Sequence, residues 1–311
     1  MKWTILGTGR IAERFGTQLP GTEDEHLVAV GTRSPERVPS WVGEAKIGSY
    51  ADAIANPEAE AVYVALPNGL HLEWTLKALA AGKHVLCEKP LALKAAEVQQ
   101  MFDAAKTHDR LLVEAFMYRC QPAVREALRL VKEGAIGEVK TLRGAFSFEH
   151  TLLPHDPRWD AQMGGGALLD VGCYPVQFMN AIMHAEPVRV DASLSCSRPD
   201  VDSSGAALLH YPNGAAGVVT FGMEIGGDRS FKVCGTRGSL SFTDPWLHGD
   251  EFEWEHEGGV ETVVKPSLMG LQGLEAEAFS AAVRGEVEPW ISAEESLWNA
   301  RTLEAIRRAA R

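Results

Sequence analysis

Paired cysteine motifs are absent from this chain. Its five cysteines, Cys87, Cys120, Cys173, Cys196 and Cys234, are scattered, odd in number and without a CxxC pair. That argues against a disulfide framework and against structural zinc, and leaves them as small buried hydrophobes of a reducing compartment. Long apolar runs are missing too. None approaches the roughly 20 residues that a membrane span needs. The start, MKWTILGTGR, carries one apolar stretch too short for a signal peptide. The expectation is a cytoplasmic protein. Basic charge is in deficit: 30 Lys and Arg stand against 42 Asp and Glu, a formal net charge of −12. Such a surface repels nucleic-acid phosphate and anionic membrane, so the expected partner is a small molecule. No ligand spacing suggests a metal, and there is neither an internal repeat nor a low-complexity segment.

The 311 residues, 45% of them hydrophobic, are ample for two domains. Up to about residue 115, strand-like and helix-like segments alternate. Trp3 to Leu6, Leu27 to Gly31, Ala61 to Leu66, His84 to Cys87 and Leu111 to Ala115 are apolar runs. Arg10 to Leu19, Leu70 to Ala81 and Lys94 to Lys106 have helical periodicity. Alternation of this kind predicts a parallel sheet with crossover helices. After Pro122 the character changes. Ala123 to Glu133 and Leu168 to Met183 are helical, and Val139 to Phe148 alternates as a strand. From Arg189 to Val264, strands are separated by turns such as Pro212-Asn213-Gly214, which suits antiparallel meanders. Helices near Leu271 to Arg284 and Ala293 to Arg308 follow. The fold class is α/β: an N-terminal Rossmann doubly wound parallel sheet over residues 1–118, then an α+β domain with a large, mostly antiparallel sheet over 119–311.

The first strand runs into Gly7-Thr8-Gly9-Arg10-Ile11-Ala12, a G-x-G-x-x-A turn opening a helix. Gly7 permits the tight turn, Gly9 lets amides approach a pyrophosphate, and Ala12 allows close helix–strand packing. The helix N-terminus adds partial positive charge. At the tip of the second strand, where NAD binders place an acid for the ribose, stand Thr32, Arg33 and Ser34, with Arg37 a turn later. A guanidinium holds a 2′-phosphate in a fork of donors, which favours NADP over NAD, with NAD as the second cofactor.

The run ALPNGLHLEWTLKALAAGKHVLCEKPLAL, from Ala65 to Leu93, joins a Pro-Asn turn, His71, an Ala-Gly-Lys-His helix end and Glu88-Lys89-Pro90. It resembles the signature of the glucose-fructose oxidoreductase, inositol dehydrogenase and rhizopine-catabolism family. The resemblance implies a Rossmann domain followed by an α/β domain built on a large sheet, and dimers or higher homo-oligomers formed through that sheet. It also implies catalysis by Lys89. Chemistry agrees: a lysine just past the carboxyl end of a parallel strand can polarise a carbonyl or departing hydroxyl beside the nicotinamide. Glu88 can hold that lysine or the cofactor, and the Lys89-Pro90 bond is a candidate for the cis form. Leu66, Pro67 and Asn68 join the cofactor set, as does His71, which either contacts the nicotinamide side or caps its helix.

The segment from Arg158 to His184 supplies the partner. Gly164, Gly165 and Gly166 let the chain approach something closely. Asp170 and Tyr174, four apart, share one helix face. They resemble the family's Asp-x-x-x-His arrangement with tyrosine in place of histidine, and with Glu114 to Arg119 they look like the branch of dihydrodiol and NADP-linked xylose dehydrogenases. Arg158 resembles a family arginine that joins the cofactor set; Pro157 stands where the family has tryptophan, and Trp159 follows. Tyr174 is the acid/base, helped by a nearby ammonium such as Lys89. Asp170 orients a substrate hydroxyl or the lysine. Arg119, Phe148 and Trp159 are the substrate candidates. Phe116, Tyr118 and Phe146 are aromatic core or stacking surfaces, and His150 and His155 flank the pocket without a role.

The expected activity is transfer of a hydride between NADP and a secondary or hemiacetal hydroxyl, or its carbonyl, on a sugar, polyol or cyclic diol. The alternatives are a non-catalytic dinucleotide-binding regulator of the same fold and an aldose oxidoreductase with permanently bound cofactor.

Overall fold

The computed structural model describes residues 1–19, 25–37, 39–149 and 156–310. His150 and His155 lie outside the described residues. The chain divides into two compact units. One comprises Met1–Cys120 with Leu268–Ala293, the other Gln121–Ser267 with Glu294–Arg311.

In the first unit the order is β1 Lys2–Leu6, α1 Arg10–Gln18, β2 His26–Gly31, β3 Lys46–Gly48, α2 Tyr50–Ile54, β4 Ala61–Val64, α3 His71–Ala80, β5 His84–Glu88, α4 Ala95–Thr107 and β6 Leu112–Ala115. The six strands form one sheet in the order β3-β2-β1-β4-β5-β6, and every pair is parallel. This is the doubly wound order, with its reversal between β1 and β4. β4 is buried along its whole length, as a central parallel strand covered on both faces must be. β3 and α2, absent from the sequence reading, are only three and five residues long. α2 holds through a capping box: the Ser49 hydroxyl accepts from the Asp52 amide at 3.2 Å, and the Asp52 carboxylate accepts from the Ser49 amide at 3.1 Å.

The second unit begins with α5 Pro122–Lys132, whose first residue is a proline, suited to a position with no intrahelical N–H partner. The chain turns out of it at Gly134, φ 76°. Then come β7 Val139–Ser147, a helix from Leu168, and β8 Arg189–Arg198, β9 Val201–His210, β10 Ala216–Gly222, β11 Phe231–Gly235, β12 Ser239–Phe242, β13 Glu251–His256 and β14 Gly259–Val264. The eight strands run β14-β13-β12-β11-β7-β10-β9-β8. Only β7 and β10 pair in parallel. The helix from Leu168 differs from expectation. It opens as a π turn, Leu168–Gly172, and becomes α6 only at Cys173–Met183. α6 lies on the sheet over two glycines. A Cβ at Gly144 would meet Pro175 at 2.8 Å, and one at Gly217 would meet the Met179 sulfur at 2.7 Å.

Residues 268–293 correct the expected division at 118/119, because they return to the first unit. α7 Leu271–Val283 places Phe279 against Trp3, with ring centroids 5.2 Å apart, and the Gly273 amide donates to the Gln18 side chain at 2.9 Å. Burial of Phe279 in the aromatic cluster of Trp3, Phe15 and Tyr63 is the apolar gain that holds the segment there. α8 Ala293–Ala309 serves the second unit, where Thr302 accepts from Asn180 at 3.1 Å.

Candidate active site

The carboxyl ends of β1, β4 and β5 are level, because Leu6 pairs with Val64 and Val64 with Cys87. The segments that follow them, Gly7 onward, Ala65 onward and Glu88 onward, therefore share one edge of the sheet. Gly7 has φ 110°, and a Cβ there would meet the Ala65 carbonyl oxygen at 2.5 Å, so only glycine fits. Gly9 is the opposite case: it is exposed and nothing lies within 4 Å of where its Cβ would be. Gly9 is also the N-cap of α1, and among the described residues no side chain caps that helix. Open space over uncapped amides suits the phosphates of a dinucleotide. Thr8 and Ile11 are half-buried here and Arg10 is exposed.

At the tip of β2, Arg33 and Arg37 are exposed and Ser34 is half-buried. Thr32 is buried, its hydroxyl accepting from the Ser34 amide at 3.2 Å. Burial pushes the Tyr50 phenol's pKa up, more than the nearby Arg33 guanidinium lowers it. Tyr50 meets the Trp74 ring edge-on at 4.9 Å. This corner brings together cations and hydroxyls, with Glu36 exposed between Ser34 and Arg37.

The Glu88-Lys89-Pro90 turn answers why charged residues end a buried strand. Each residue around the turn is tethered. The Tyr63 hydroxyl donates to Glu88 Oε1, and the Lys89 amide donates to Glu88 Oε2 at 3.2 Å. The Leu91 amide donates to the buried Glu114 carboxylate at 2.9 Å. The Lys89-Pro90 bond is cis. Lys89 itself is half-buried. His71, expected either to contact the nicotinamide side or to cap its helix, is turned toward the main chain. It is fully buried, its ring nitrogens 2.9 Å from the Pro90 carbonyl and 2.8 Å from the Leu66 carbonyl. Pro67 leads a short 3-10 turn, Asn68–Leu70, into α3. Arg119, a substrate candidate, is buried and donates to the Trp290 carbonyl at 3.1 Å, tying down the returning segment.

In the second unit, Arg158 Nε donates to Asp170 Oδ2 at 2.9 Å. Arg158 thus engages the π turn, and the charge of Asp170 raises its pKa. Asp170, expected to orient a substrate hydroxyl or the lysine, has Arg158 as its partner here. The three glycines approach protein atoms. A Cβ at Gly165 would meet the Arg158 carbonyl oxygen at 2.5 Å, and one at Gly166 the Asp202 carboxylate at 2.3 Å. Asp202 accepts from the Leu168 amide at 2.6 Å, so it caps the π turn that carries Asp170; burial raises its pKa. Tyr174 is buried, edge-on to Phe146 at 5.1 Å and to Trp246 at 6.0 Å. Trp159 is buried under the Arg198 guanidinium, 4.8 Å away, and Phe148 is half-buried just past β7. No group of His, Cys, Asp and Glu suited to a metal occurs among the described residues. No helix among them is long and apolar enough to cross a membrane.

Residues 1–116 match the model of an oxidoreductase family with an NAD-binding Rossmann fold, and residues 124–241 match the GFO/IDH/MocA C-terminal domain. The chain belongs to this oxidoreductase family. A dTDP-3,4-didehydro-2,6-dideoxy-alpha-D-glucose 3-reductase from Actinomadura kijaniata is 33% identical over 99% of this chain and 95% of its own. D-xylose 1-dehydrogenase (NADP(+)) 2 from Haloferax volcanii is 32% identical over 100% and 97%. The crystal structure of an aldose-aldose oxidoreductase from Caulobacter crescentus, complexed with glycerol, superposes with TM-score 0.89 at 29% identity, covering 100% and 97%.

Within this member of the GFO/IDH/MocA family, sequence reasoning missed Tyr50, Tyr63 and Asp202, and named Glu114 only as the start of a branch motif. Two of them carried a signal. Glu114 is an acid inside an apolar strand, and Asp202 is an acid starting a strand whose first residues are buried. A charge in such a place needs a partner.

Proposed function

We propose that this oxidoreductase is NADP-linked and acts on a secondary or hemiacetal hydroxyl, or the matching carbonyl, of a sugar, polyol or cyclic diol. One observation carries the reading: Lys89 sits immediately past β5, on the same sheet edge as the open Gly9 turn, in a backbone tethered on all sides. The bound nicotinamide supplies the hydride exchange. Gly7 to Ile11 hold the phosphates, and Arg33 with Ser34 the 2′-phosphate. Lys89 polarises the reacting oxygen, and Tyr174 delivers or removes its proton. Arg158 orients Asp170 one turn before Tyr174. The sugar substrates in the names of the reductase and the xylose dehydrogenase support the substrate class.

A panel of aldoses, polyols and trans-diols with NADP, followed by absorbance of reduced nicotinamide, tests this. Turnover on one class is expected; silence across the panel leaves a dinucleotide-binding regulator. Arg33→Ala should raise KM for NADP by roughly tenfold, as loss of a charged hydrogen bond implies, and leave KM for NAD unchanged. Equal cofactor preference in Arg33→Ala and wild type removes the NADP assignment.

Self-association through the open face of the eight-stranded sheet belongs to the same reading. Val218 on β10 is 42% exposed there, beside Thr141 and Arg143 of β7 and Lys232 of β11. Val218→Asp is expected to shift the sedimentation mass to that of one chain; an unchanged mass rules this face out.

A further inference from the structure

We propose that His71 is a positioning residue for Lys89, its ring fixing the backbone that presents the ammonium. The inference rests on the reading of Lys89 as the group that polarises the reacting oxygen. Its own basis is separate. Both ring nitrogens of His71 face main-chain carbonyls, of Pro90 at 2.9 Å and Leu66 at 2.8 Å. Carbonyl oxygens only accept, so the ring is the donor in whichever contact carries a proton, and a neutral imidazole has one N–H to give. Burial and the nearby Lys89 charge hold the ring's pKa down, against the pull of the two carbonyls.

Proline has no N–H, so the carbonyl is the only main-chain polar group of residue 90. The other tethers of the turn act on Glu88, Lys89 and Leu91. Residue 90, next to the lysine, is held by the histidine in the tautomer that carries its proton on Nδ1. The far end of the clamp is different. The chain around Leu66 keeps its own bonds: Ala65 N–H to the Leu6 carbonyl at 3.0 Å, and Leu70 N–H to the Pro67 carbonyl at 2.8 Å. Loss of the ring therefore loosens the lysine turn and spares the segment packed on Gly7. The consequence is an effect on kcat rather than on cofactor binding.

The test compares His71→Leu, which donates nothing, with His71→Gln, which keeps one amide donor, using a substrate from the panel. Each variant is first checked for folding by melting temperature and near-ultraviolet circular dichroism. His71→Leu should lower kcat by roughly 10–100-fold, the size of effect a misplacement near 1 Å produces, with KM for NADP within about twofold. His71→Gln should recover a large part of the loss. In a Lys89→Met background His71→Leu should cost nothing further. Should His71→Leu fail to fold, His71→Asn, with its shorter amide, replaces it. Wild-type kcat in whichever non-rescuing variant folds, or a rise in KM for NADP equal to the fall in kcat, overturns the inference. If Lys89→Met itself keeps full turnover, the reading of Lys89 fails instead, whatever the His71 variants do.

Discussion

Lys89→Met is expected to lower kcat by roughly 10²–10⁴-fold, the range spanned by acid–base and electrostatic groups at reacting atoms. Methionine keeps the length and the apolar stem, so the turn tethered by Glu88 and Glu114 stays in place and the melting temperature changes little. Lys89→Arg should not restore turnover. A planar fork cannot substitute for a point charge on a flexible stem in a half-buried setting. Tyr174→Phe should fall by a similar factor. The ring remains edge-on to Phe146 and Trp246, and only the hydroxyl is lost. If the two groups serve one oxygen, the double variant falls no further than the worse single one, because each loses its use without the other. Effects that multiply would mean that lysine and tyrosine act on separate events. Full turnover in Tyr174→Phe would falsify the proton-donor role outright.

Both sheets were legible from periodicity because their signals are local. A buried parallel strand is a short apolar run, and Ala61–Val64 is one; a meander announces its turns, as Pro212-Asn213-Gly214 does. The glycine turn and the Glu-Lys-Pro turn were legible because glycine and proline constrain the backbone directly. What escaped was non-local. That α7 packs with the first unit depends on Phe279 finding Trp3, 276 positions earlier, and nothing within α7 encodes that choice. The π turn at Leu168–Gly172 escaped because its composition is that of an ordinary helix; its first amide, at Leu168, is capped from another element by Asp202. His71 was left between the nicotinamide side and its helix cap because the motif names the residue and not its direction. Arg158 was placed at the cofactor, and its partner Asp170 became visible only once the loop before the helix was folded back.

Glu275 leads to the second large effect. It lies on α7, fully buried, and one carboxylate oxygen has no hydrogen-bond partner among the described residues. Burial first, and the negative charge of Glu88 second, push its pKa well above the ordinary glutamate value of 4.5. The two Glu88 oxygens accept from the Tyr63 hydroxyl and the Lys89 amide. Below pH 4.5 both the folded and the unfolded chain carry the Glu275 proton, and the residue costs nothing. Above it the unfolded chain releases the proton while the folded chain keeps it. Stability then falls by about 1.4 kcal/mol for each pH unit until the raised folded value is reached. Glu275→Gln, neutral in both states and of the same shape, removes that slope. Chemical denaturation from pH 5 to pH 8 should show the variant gaining on the wild type as pH rises, with one proton fewer released per unfolding event. Parallel stability curves for the two proteins across that range would mean that Glu275 is ionised in the fold, and that α7 holds its charge by some partner other than a proton.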